Sequence, residues 1–552
     1  MKTAIRLQMV LALTLVLAIR TTPSPSADSY SLLSGLGSHT FKVTTRSADA
    51  QRYFDQGLNL YFGFNHGAAI RSFKEATRLD PACAMAHWGI ALANGPHINF
   101  PLVPPPAAAE AWNELALARK YDGQATAVEQ ALIEALASRY ANPQPEDRSP
   151  LDRAYAEAMR SIWHKYPADA EVGVLFAEAM MDLRPWDQWT SEGRPQPGTD
   201  EIIATLDEVL RLDVNHPFAN HLYIHAVEAS PHPERALAAA DRLRNLQPGL
   251  AHNVHMPSHI YIRVGHWQDA VVTNQLAVEA AGRIHAVTGP PRGMIVLYNA
   301  HNRQMLTWAA MMTGQRELAL AQVRAMVAEI PEDTLKELAM IVEGMMAMPF
   351  EVLVRFGRWD EILAAPDFPD WMPLARALRL GARGIALAAK GDPMSARAEQ
   401  AAFLEAAKKV PADEKLLNNS AEAILSILAP MVDGEILVRE GKVDEGIVRL
   451  REAIKNEDGL RYDEPPGWIL PVRHSLGATL MTVGRFAEAE QVYREDLVRL
   501  PDNGWSLFGL ARCLRLQKKN DSEAADLDGR FQKIWSKADL VLTSSCLCQP
   551  GE

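Results

Sequence analysis

The chain has 552 residues, too many for one compact hydrophobic core, and its 48% hydrophobic and 22% charged residues are typical of a folded protein rather than a disordered one. The formal net charge is −12, and the sequence contains no basic stripe or long run of Lys and Arg. We therefore expect no nucleic-acid partner.

The N-terminus has the pattern of an export signal. A basic start precedes an apolar run of 13 residues, Leu7–Ile19, and small residues and prolines follow. A membrane span needs about 20 residues, so this run is short for one. We therefore predict a signal peptide over 1–27, cut near Ser26 or Ala27, and an exported protein that is periplasmic or secreted. The alternative is a membrane-anchoring signal, because the prolines blur the cleavage site; we expect no membrane span in the mature chain.

Helical periodicity dominates the rest of the chain, and it repeats every 34 residues. Repeat positions 8, 20 and 24 hold Gly477, Ala489 and Tyr493 in residues 470–501, and Gly57, Ala69 and Phe73 in residues 50–83. This pattern resembles the tetratricopeptide repeat, in which small residues let two helices cross closely. It predicts an all-α fold, a tetratricopeptide-repeat superhelix (a right-handed α-solenoid) with a concave face.

Breaks in the repeat pattern suggest the domain organisation. Residues 143–200 fit the period less well, because two stretches rich in proline and polar residues interrupt them. The predicted parts are the signal peptide (1–27), an N-terminal segment (28–49), N-terminal helical repeats (50–142), an irregular repeat with polar loops (143–200), central repeats with a histidine-rich groove (201–333), C-terminal helical repeats (334–535) and a C-terminal tail (536–552).

Two histidine pairs occupy the same repeat positions. Eight of the 16 histidines fall between His216 and His266. Positions 5 and 9 hold His221 and His225 in the unit 217–250, and His255 and His259 in the next unit, 251–284. Residues four apart share one helix face, and neighbouring first helices pack about 8–10 Å apart, so both pairs are expected to face one groove. Neutral imidazoles are ligands for transition metals, and the sequence therefore predicts that these histidines meet there at one or two metal ions.

Three further features complete the predicted site. His301 stands at position 2 of the unit 300–333, which is a groove position by resemblance to other repeats of this kind. Glu228, one turn after His225, is a candidate metal ligand, supporting hydrogen-bond partner or catalytic base. Residues 285–299 interrupt the register and are predicted to form a lid over the groove. Pro257 makes the helix either start late, near Met256, or bend.

Four cysteines in a chain of this length do not make a disulfide framework. Cys546-Leu-Cys548, near the C-terminus, has three open interpretations: the two thiols bind a soft metal, one of them pairs with Cys513, or both stay reduced.

The closest resemblance is to a group of exported bacterial tetratricopeptide-repeat proteins. The stretches that carry it are CAMAHWGIALANGPHIN (83–99), RPWDQW (184–189), NHLYIHAVEASPHPERA (220–236) and HMPSHIYIRVG (255–265). The resemblance implies fold and export but no established activity. We therefore predict an exported binding protein whose concave groove carries a transition metal on His221, His225, His255, His259 and His301.

Copper or zinc suits an imidazole-rich site without a carboxylate pair, and iron stays open. The first alternative is a metal-dependent enzyme, an oxidase or hydrolase, that uses the same cluster. The second is a metal-free scaffold for protein–protein interaction. The expected partner is a protein or peptide in the groove, or a small molecule at the metal.

Overall fold

The computed structural model describes residues 30–549, so the predicted signal peptide, 1–27, lies outside the described residues. The chain divides into two compact units, Met1–Leu33 and Ser34–Glu552. Every helix and strand named below lies in the second unit. In the described residues, no helix combines the length and apolar character that a membrane span requires.

The second unit is built of helices. Its N-terminal part contains α1 (Ala48–Phe62), α2 (His66–Leu79), α3 (Ala84–Ala93), α4 (Pro105–Tyr121), α5 (Ala127–Ala137), α6 (Ser149–Lys165), α7 (Ala170–Met181) and α8 (Thr199–Leu212). The central part contains α9 (Pro217–Val227), α10 (Leu237–Leu246), α11 (Ala251–His255), α12 (Pro257–Arg263), α13 (Trp267–Thr288), α14 (Met294–Met312) and α15 (Arg316–Glu329).

The C-terminal part continues in the same way and includes one short antiparallel strand pair. It contains α16 (Glu332–Glu337), α17 (Ala339–Val342), α18 (Met348–Arg355), α19 (Trp359–Ala364), α20 (Pro373–Ala389), α21 (Pro393–Ala407), β1 (Lys415–Leu416), β2 (Asn419–Ser420), α22 (Ala421–Arg439), α23 (Val443–Asp458), α24 (Val472–Thr482), α25 (Phe486–Arg499), α26 (Gly504–Leu516) and α27 (Asp521–Ile534). Short 3₁₀ turns span Asp122–Gln124, Pro233–Ala236, Glu343–Ala347 and Trp535–Lys537.

The repeat glycines explain how the helix pairs pack. A Cβ added at Gly57 of α1 would lie 2.6 Å from the Phe73 ring of α2, closer than real Cβ atoms approach. A Cβ at Gly477 of α24 would lie 2.4 Å from the Tyr493 ring of α25. In each pair a glycine at repeat position 8 receives the buried aromatic ring of position 24. The predicted all-α solenoid of tetratricopeptide type is thus confirmed.

The helix that carries HMPSH bends rather than starting late. Helix α11 ends at His255 and α12 begins at Pro257, while Met256 between them keeps helical backbone angles, φ −49° and ψ −38°. Proline is well accommodated here because its missing N–H falls in the first turn of α12. His255 and His259 therefore stay on one continuous helical path.

The segment 285–299, predicted to form a lid over the groove, is largely helical. Helix α13 runs on to Thr288, and α14 begins at Met294, so only the turn between them is non-helical. The insertion lengthens two packed helices, since His285 of α13 bonds Asn299 of α14 at 2.9 Å. Its one contribution to the histidine cluster is Tyr298, whose ring lies 4.9 Å from the His252 ring.

Two tryptophans pack the loop between α7 and α8 against the solenoid. Trp189 donates a hydrogen bond to the carbonyl oxygen of Ala226 in α9, at 2.8 Å. Trp186 bonds Asn99 at 3.1 Å and sets its ring edge-on to His225, with 5.4 Å between ring centroids. The loop is therefore held down on the outside of the histidine cluster.

Candidate metal centre

Six histidines of the central repeats come together in the interior of the second unit. They lie on the first helices of three consecutive helix pairs: His221 and His225 on α9, His252, His255 and His259 on α11 and α12, and His301 on α14. Helix α9 packs beside α12, and α11 packs beside α14. Five of the rings are buried, and only His301 keeps partial exposure.

The six rings form two groups of three. In the first triad, the ligand nitrogens of His221, His225 and His252 all lie within 4.8 Å of one another, and Nε2 of His221 is 3.1 Å from Nε2 of His252. In the second triad, His255, His259 and His301 satisfy the same limit. Nε2 of His259 lies 2.8 Å from that of His255 and 3.5 Å from that of His301.

The two triads occupy equivalent repeat positions, one repeat apart. The first consists of positions 5 and 9 of the unit 217–250 and position 2 of the next unit. The second consists of positions 5 and 9 of the unit 251–284 and position 2 of the unit 300–333. One rule, two histidines on a helix and one on the following first helix, therefore generates both triads.

Hydrogen bonds at Nδ1 fix the orientation of the rings. His221 donates from Nδ1 to the carbonyl oxygen of Phe62, at 2.8 Å. His255 donates from Nδ1 to Oδ1 of Asn274, at 2.6 Å, and the Asn274 amide is itself held because its Nδ2 donates to the Ala270 carbonyl. A ring that donates from Nδ1 presents the lone pair of Nε2, which is the arrangement of a metal-bound histidine.

Glu228 joins the two triads without entering either. One carboxylate oxygen accepts from Nδ1 of His225 at 2.9 Å, and the other accepts from Nδ1 of His259 at 2.5 Å. Burial raises the pKa of Glu228, but His259 and His225 outweigh that effect and lower it to about 2. The carboxylate is thus ionised and occupied by two donors, which fits the supporting role among the three that the sequence left open.

These bonds leave Nε2 lone pairs facing one another. His255 and His259 both donate from Nδ1, so neither Nε2 carries a proton in the neutral ring, yet the two atoms lie 2.8 Å apart. A shared proton is disfavoured, because burial and the neighbouring imidazoles of His301 and His259 lower the pKa of His255 well below its usual range. In the first triad, Nε2 of His225 and Nδ1 of His252 are buried without a hydrogen-bond partner among the described residues. Such a donor set has room for a cation.

Aromatic rings close the first triad. The ring of Phe64 stacks on His252 with centroids 5.1 Å apart, lies 4.6 Å from His221, and is almost parallel to His225. Phe64 and Trp186 both have positive φ, 54° and 57°, a strained conformation for a bulky residue. Both of these strained aromatic residues thus touch His225.

A loop of the C-terminal part reaches the same region. Arg263 of α12 donates to the carbonyl oxygens of Glu228 and Ser230 and lies over the ring of Tyr462, 5.3 Å from its centroid. The Tyr462 hydroxyl donates to Glu464. Burial, and then the charge of Glu228, raise the pKa of Glu464 well above its usual range, which favours the protonated form of this buried carboxyl.

The structure brings all five predicted histidines together but divides them differently from a single shared site. The pairs on α9 and α12 do not form one four-histidine set; each pair takes a third ring, His252 or His301. Sequence reasoning missed His252, although it stands at position 2 of its unit, as His301 does. Asn274 and the backbone of Phe62 have no comparable signal in the sequence.

A third cluster, His39, Glu171 and His216, has a different character. Oε1 of Glu171 lies 2.5 Å from Nε2 of His39 and 3.3 Å from Nε2 of His216. His216 uses Nδ1 to accept the Ala219 N–H as the cap of α9, and its Nε2 lies at ion-pair distance from Glu171. These residues form an ion-pair clamp that ties the N-terminal segment to α7 and α9.

The C-terminal tail corrects the predictions made for the cysteines. Cys546 and Cys548 form a disulfide with each other, and neither pairs with Cys513, which is buried and unpaired. The tail is packed into the repeats: Asp539 caps α15 by accepting from the N–H groups of Arg316 and Glu317, both at 2.9 Å.

Comparison with known proteins gives similarity of fold only. The sequence matches no protein-family model and no curated protein. One similar solved structure is a human IFIT1 dimer with m7Gppp-AAAA, at 14% identity and a TM-score of 0.31, and the match covers 89% of this chain and 91% of that one. Another is the APC/C hetero-tetramer Cut9–Hcn1, at 16% identity and a TM-score of 0.29, and the match covers 84% of this chain and 76% of that one. At these values the similarity bears on neither the ligand nor the partners of this chain.

Proposed function

We propose that the protein is an exported metal-binding repeat protein that holds two transition-metal ions, one in each histidine triad. The observation that carries the proposal is the contact between the Nε2 lone pairs of His255 and His259 at 2.8 Å, with both Nδ1 protons committed elsewhere. Two nitrogens bound to one ion at about 2.1 Å and a tetrahedral angle would be about 3.4 Å apart. The observed Nε2 separations of 2.8, 3.1 and 3.5 Å lie close to that value.

The donor set favours copper or zinc. Each triad offers three imidazoles, and the nearest carboxylate, Glu228, is occupied by two histidine N–H groups. Imidazoles suit Cu, Zn, Fe and Ni, whereas Mg²⁺ and Ca²⁺ require several oxygen ligands. Burying six polar rings is unfavourable without partners, and metal coordination supplies those partners.

Metal analysis of protein purified without a histidine tag tests the proposal. We expect two ions per chain, one ion after either His252→Ala or His301→Ala, and none after both. His232→Ala is the matched control, because His232 is exposed, with 71% of its side-chain surface accessible, and its ring bonds Glu234 outside both triads. Protein that binds no copper or zinc at micromolar concentrations would favour the metal-free scaffold. Export is tested separately, by mass spectrometry of the N-terminus of the secreted chain.

The second candidate is a metal-dependent enzyme, an oxidase or hydrolase. Three protein ligands leave a position at each ion for a small molecule, as in catalytic zinc sites. Glu464 adds a buried carboxyl whose pKa is raised well above its usual range by burial and by the charge of Glu228. Azide added to the Cu(II)-loaded protein distinguishes the two roles. A spectral shift on binding supports the open position that catalysis needs, and an unchanged spectrum supports storage or transport.

We further propose that any peptide partner binds outside the surface that the C-terminal tail covers. Ser545 of the tail donates to the carbonyl oxygen of His474, at position 5 of its repeat, and accepts from the Tyr493 hydroxyl. This part of the inner surface is already occupied by the chain itself. Deleting residues 540–552 and screening for bound peptides checks whether the tail competes with a partner.

A further inference from the structure

The disulfide between Cys546 and Cys548 is a buried group that the proposed metal sites do not use. The two cysteines are 6% and 1% exposed and pack against Ala478 of α24. The hydroxyl of Ser475 lies 3.4 Å from Sγ of Cys546 and 3.6 Å from Sγ of Cys548. Glu435 of α22 lies on the other side, with Oε1 3.3 Å from Sγ of Cys548.

The disulfide contributes little as a structural cross-link. It joins two residues of one segment with a single residue between them, and closing so short a loop removes little entropy from the unfolded chain. The tail is anchored independently of it: Ser545 bonds His474 and Tyr493, and Gln549 donates to Glu435 at 2.9 Å. A role in holding the tail therefore does not account for the pair.

Glu435 is placed to exchange a proton with Cys548. A disulfide sulfur has no hydrogen to donate, so the contact between Oε1 and Sγ is favourable only if Glu435 is protonated or Cys548 is a thiol. Burial raises the pKa of Glu435, and although Arg439, Gln549 and Ser475 oppose this, it reaches about 7. The carboxyl is 1% exposed, so the proton it carries is held within this pocket.

We propose that Cys546–Cys548 is a redox-active disulfide that exchanges two electrons with a dithiol, and that Glu435 is the proton donor to Cys548. A thiolate of the dithiol attacks Sγ of Cys546, the more exposed of the two residues, and the bond between the two cysteines breaks. Cys548 leaves as a thiolate and takes the proton of Glu435. The second thiolate of the dithiol then attacks the mixed disulfide and releases Cys546, which takes a proton from water. The dithiol is oxidised to a disulfide, and the cysteine pair is reduced.

The test is the rate at which dithiothreitol reduces the disulfide in the full chain, followed by alkylation and mass spectrometry. We expect Glu435→Gln to slow reduction at least about 10-fold, because positioned proton donors contribute factors of this size or larger. The wild-type rate per dithiothreitol thiolate should decrease as pH rises through about 7, where Glu435 loses its proton. Glu435→Asp, which keeps a carboxyl, should retain part of the rate and the pH dependence.

Glu343→Gln is the matched control. Glu343 is also 1% exposed, burial raises its pKa to about 7, and it accepts the Ala375 N–H far from the disulfide in sequence. This variant should be reduced at the wild-type rate, and circular dichroism should show wild-type helix content for all three variants. Equal rates in wild type and Glu435→Gln overturn the proposal. So does a full chain isolated with free thiols that carry a bound metal ion.

Discussion

Replacing Glu228 by glutamine tests the histidine site with a minimal change in shape. Glu228 accepts from Nδ1 of His225 and from Nδ1 of His259, through different oxygens. Glutamine has one oxygen, so one ring keeps its acceptor and the other meets an NH₂ group. That second ring must turn or move its proton to Nε2, and a protonated Nε2 cannot bind a metal.

We expect Glu228→Gln to weaken binding at one triad and leave the other close to wild type. Loss of a hydrogen-bond partner behind a metal ligand lowers metal affinity by about 10–100-fold, which corresponds to about 1.4–2.7 kcal/mol. Competition with a chromophoric chelator measures both affinities, and metal analysis after dialysis measures occupancy.

The control for this variant is Glu171→Gln. Glu171 also contacts two histidines, His39 and His216, but neither belongs to a triad. This variant should keep both ions at wild-type affinity. If Glu228→Gln also keeps two ions with unchanged affinities, the assignment of Glu228 as the support of both triads is wrong.

Two further predictions concern the fold. Gly57→Ala should lower the free energy of unfolding by about 1–3 kcal/mol, because the added Cβ would lie 2.6 Å from the Phe73 ring. Gly529→Ala is the control and should not lower it, because a Cβ there would have nothing within 4 Å. Urea denaturation measures the free energy of unfolding of both variants. The clamp of His39 and Glu171 should hold the N-terminal segment best between about pH 5 and 6.5. Burial lowers the pKa of His39, but its hydrogen bond to Glu171 and the charges of Glu171, Asp213 and Asp55 together raise it more, so this stabilisation is complete below pH 6.5 and lost as pH rises through the folded value. Burial raises the pKa of Glu171 but His216 and His39 lower it to about 2, so its stabilisation is lost only as pH falls from about 4.5 towards 2. Hydrogen exchange of residues 38–47, corrected for intrinsic rates, should therefore be faster at pH 8.5 than at pH 6, and His39→Gln should remove the difference.

The sequence predicted the fold and the meeting of the histidine pairs because both depend on a linear register. A period of 34 residues fixes which residues are equivalent, and four-residue spacing fixes which share a helix face. Those two facts place His221 and His225 beside His255 and His259 without knowledge of the tertiary structure. The same register contained His252 at position 2. It forms no pair of histidines four residues apart, because the residue four positions on is Met256.

What the sequence could not predict depends on contacts between distant segments. Phe62 and Phe64 come from the first helix pair, and their contact with His221 exists only because α1 and α9 pack together. The insertion was predicted to be a lid because Gly289 and the prolines after it interrupt a helix. The helices instead extend to both sides of that turn, since their extra length packs together.

The equivalence of the triads predicts the distance between two bound ions. His225 and His259 both stand at position 9, their ring centroids lie 5.8 Å apart, and both Nδ1 atoms point at Glu228 between them, so ions bound at the outward-facing Nε2 atoms should be separated by more than about 6 Å. The rings are nearly perpendicular, at 86°, because Glu228 bonds both Nδ1 atoms from between them, so the two coordination planes should differ in orientation. Ions that share one bridging ligand are about 3.5–4 Å apart, and the carboxylate between these rings makes no such bridge. Protein loaded with two Cu(II) ions should therefore show a dipolar splitting in its electron paramagnetic resonance spectrum, and His252→Ala, with one ion, should show none. A silent spectrum from two bound Cu(II) ions would reveal a bridged pair, and an unsplit spectrum at full loading would place the ions much farther apart; either result contradicts triads related by a single repeat.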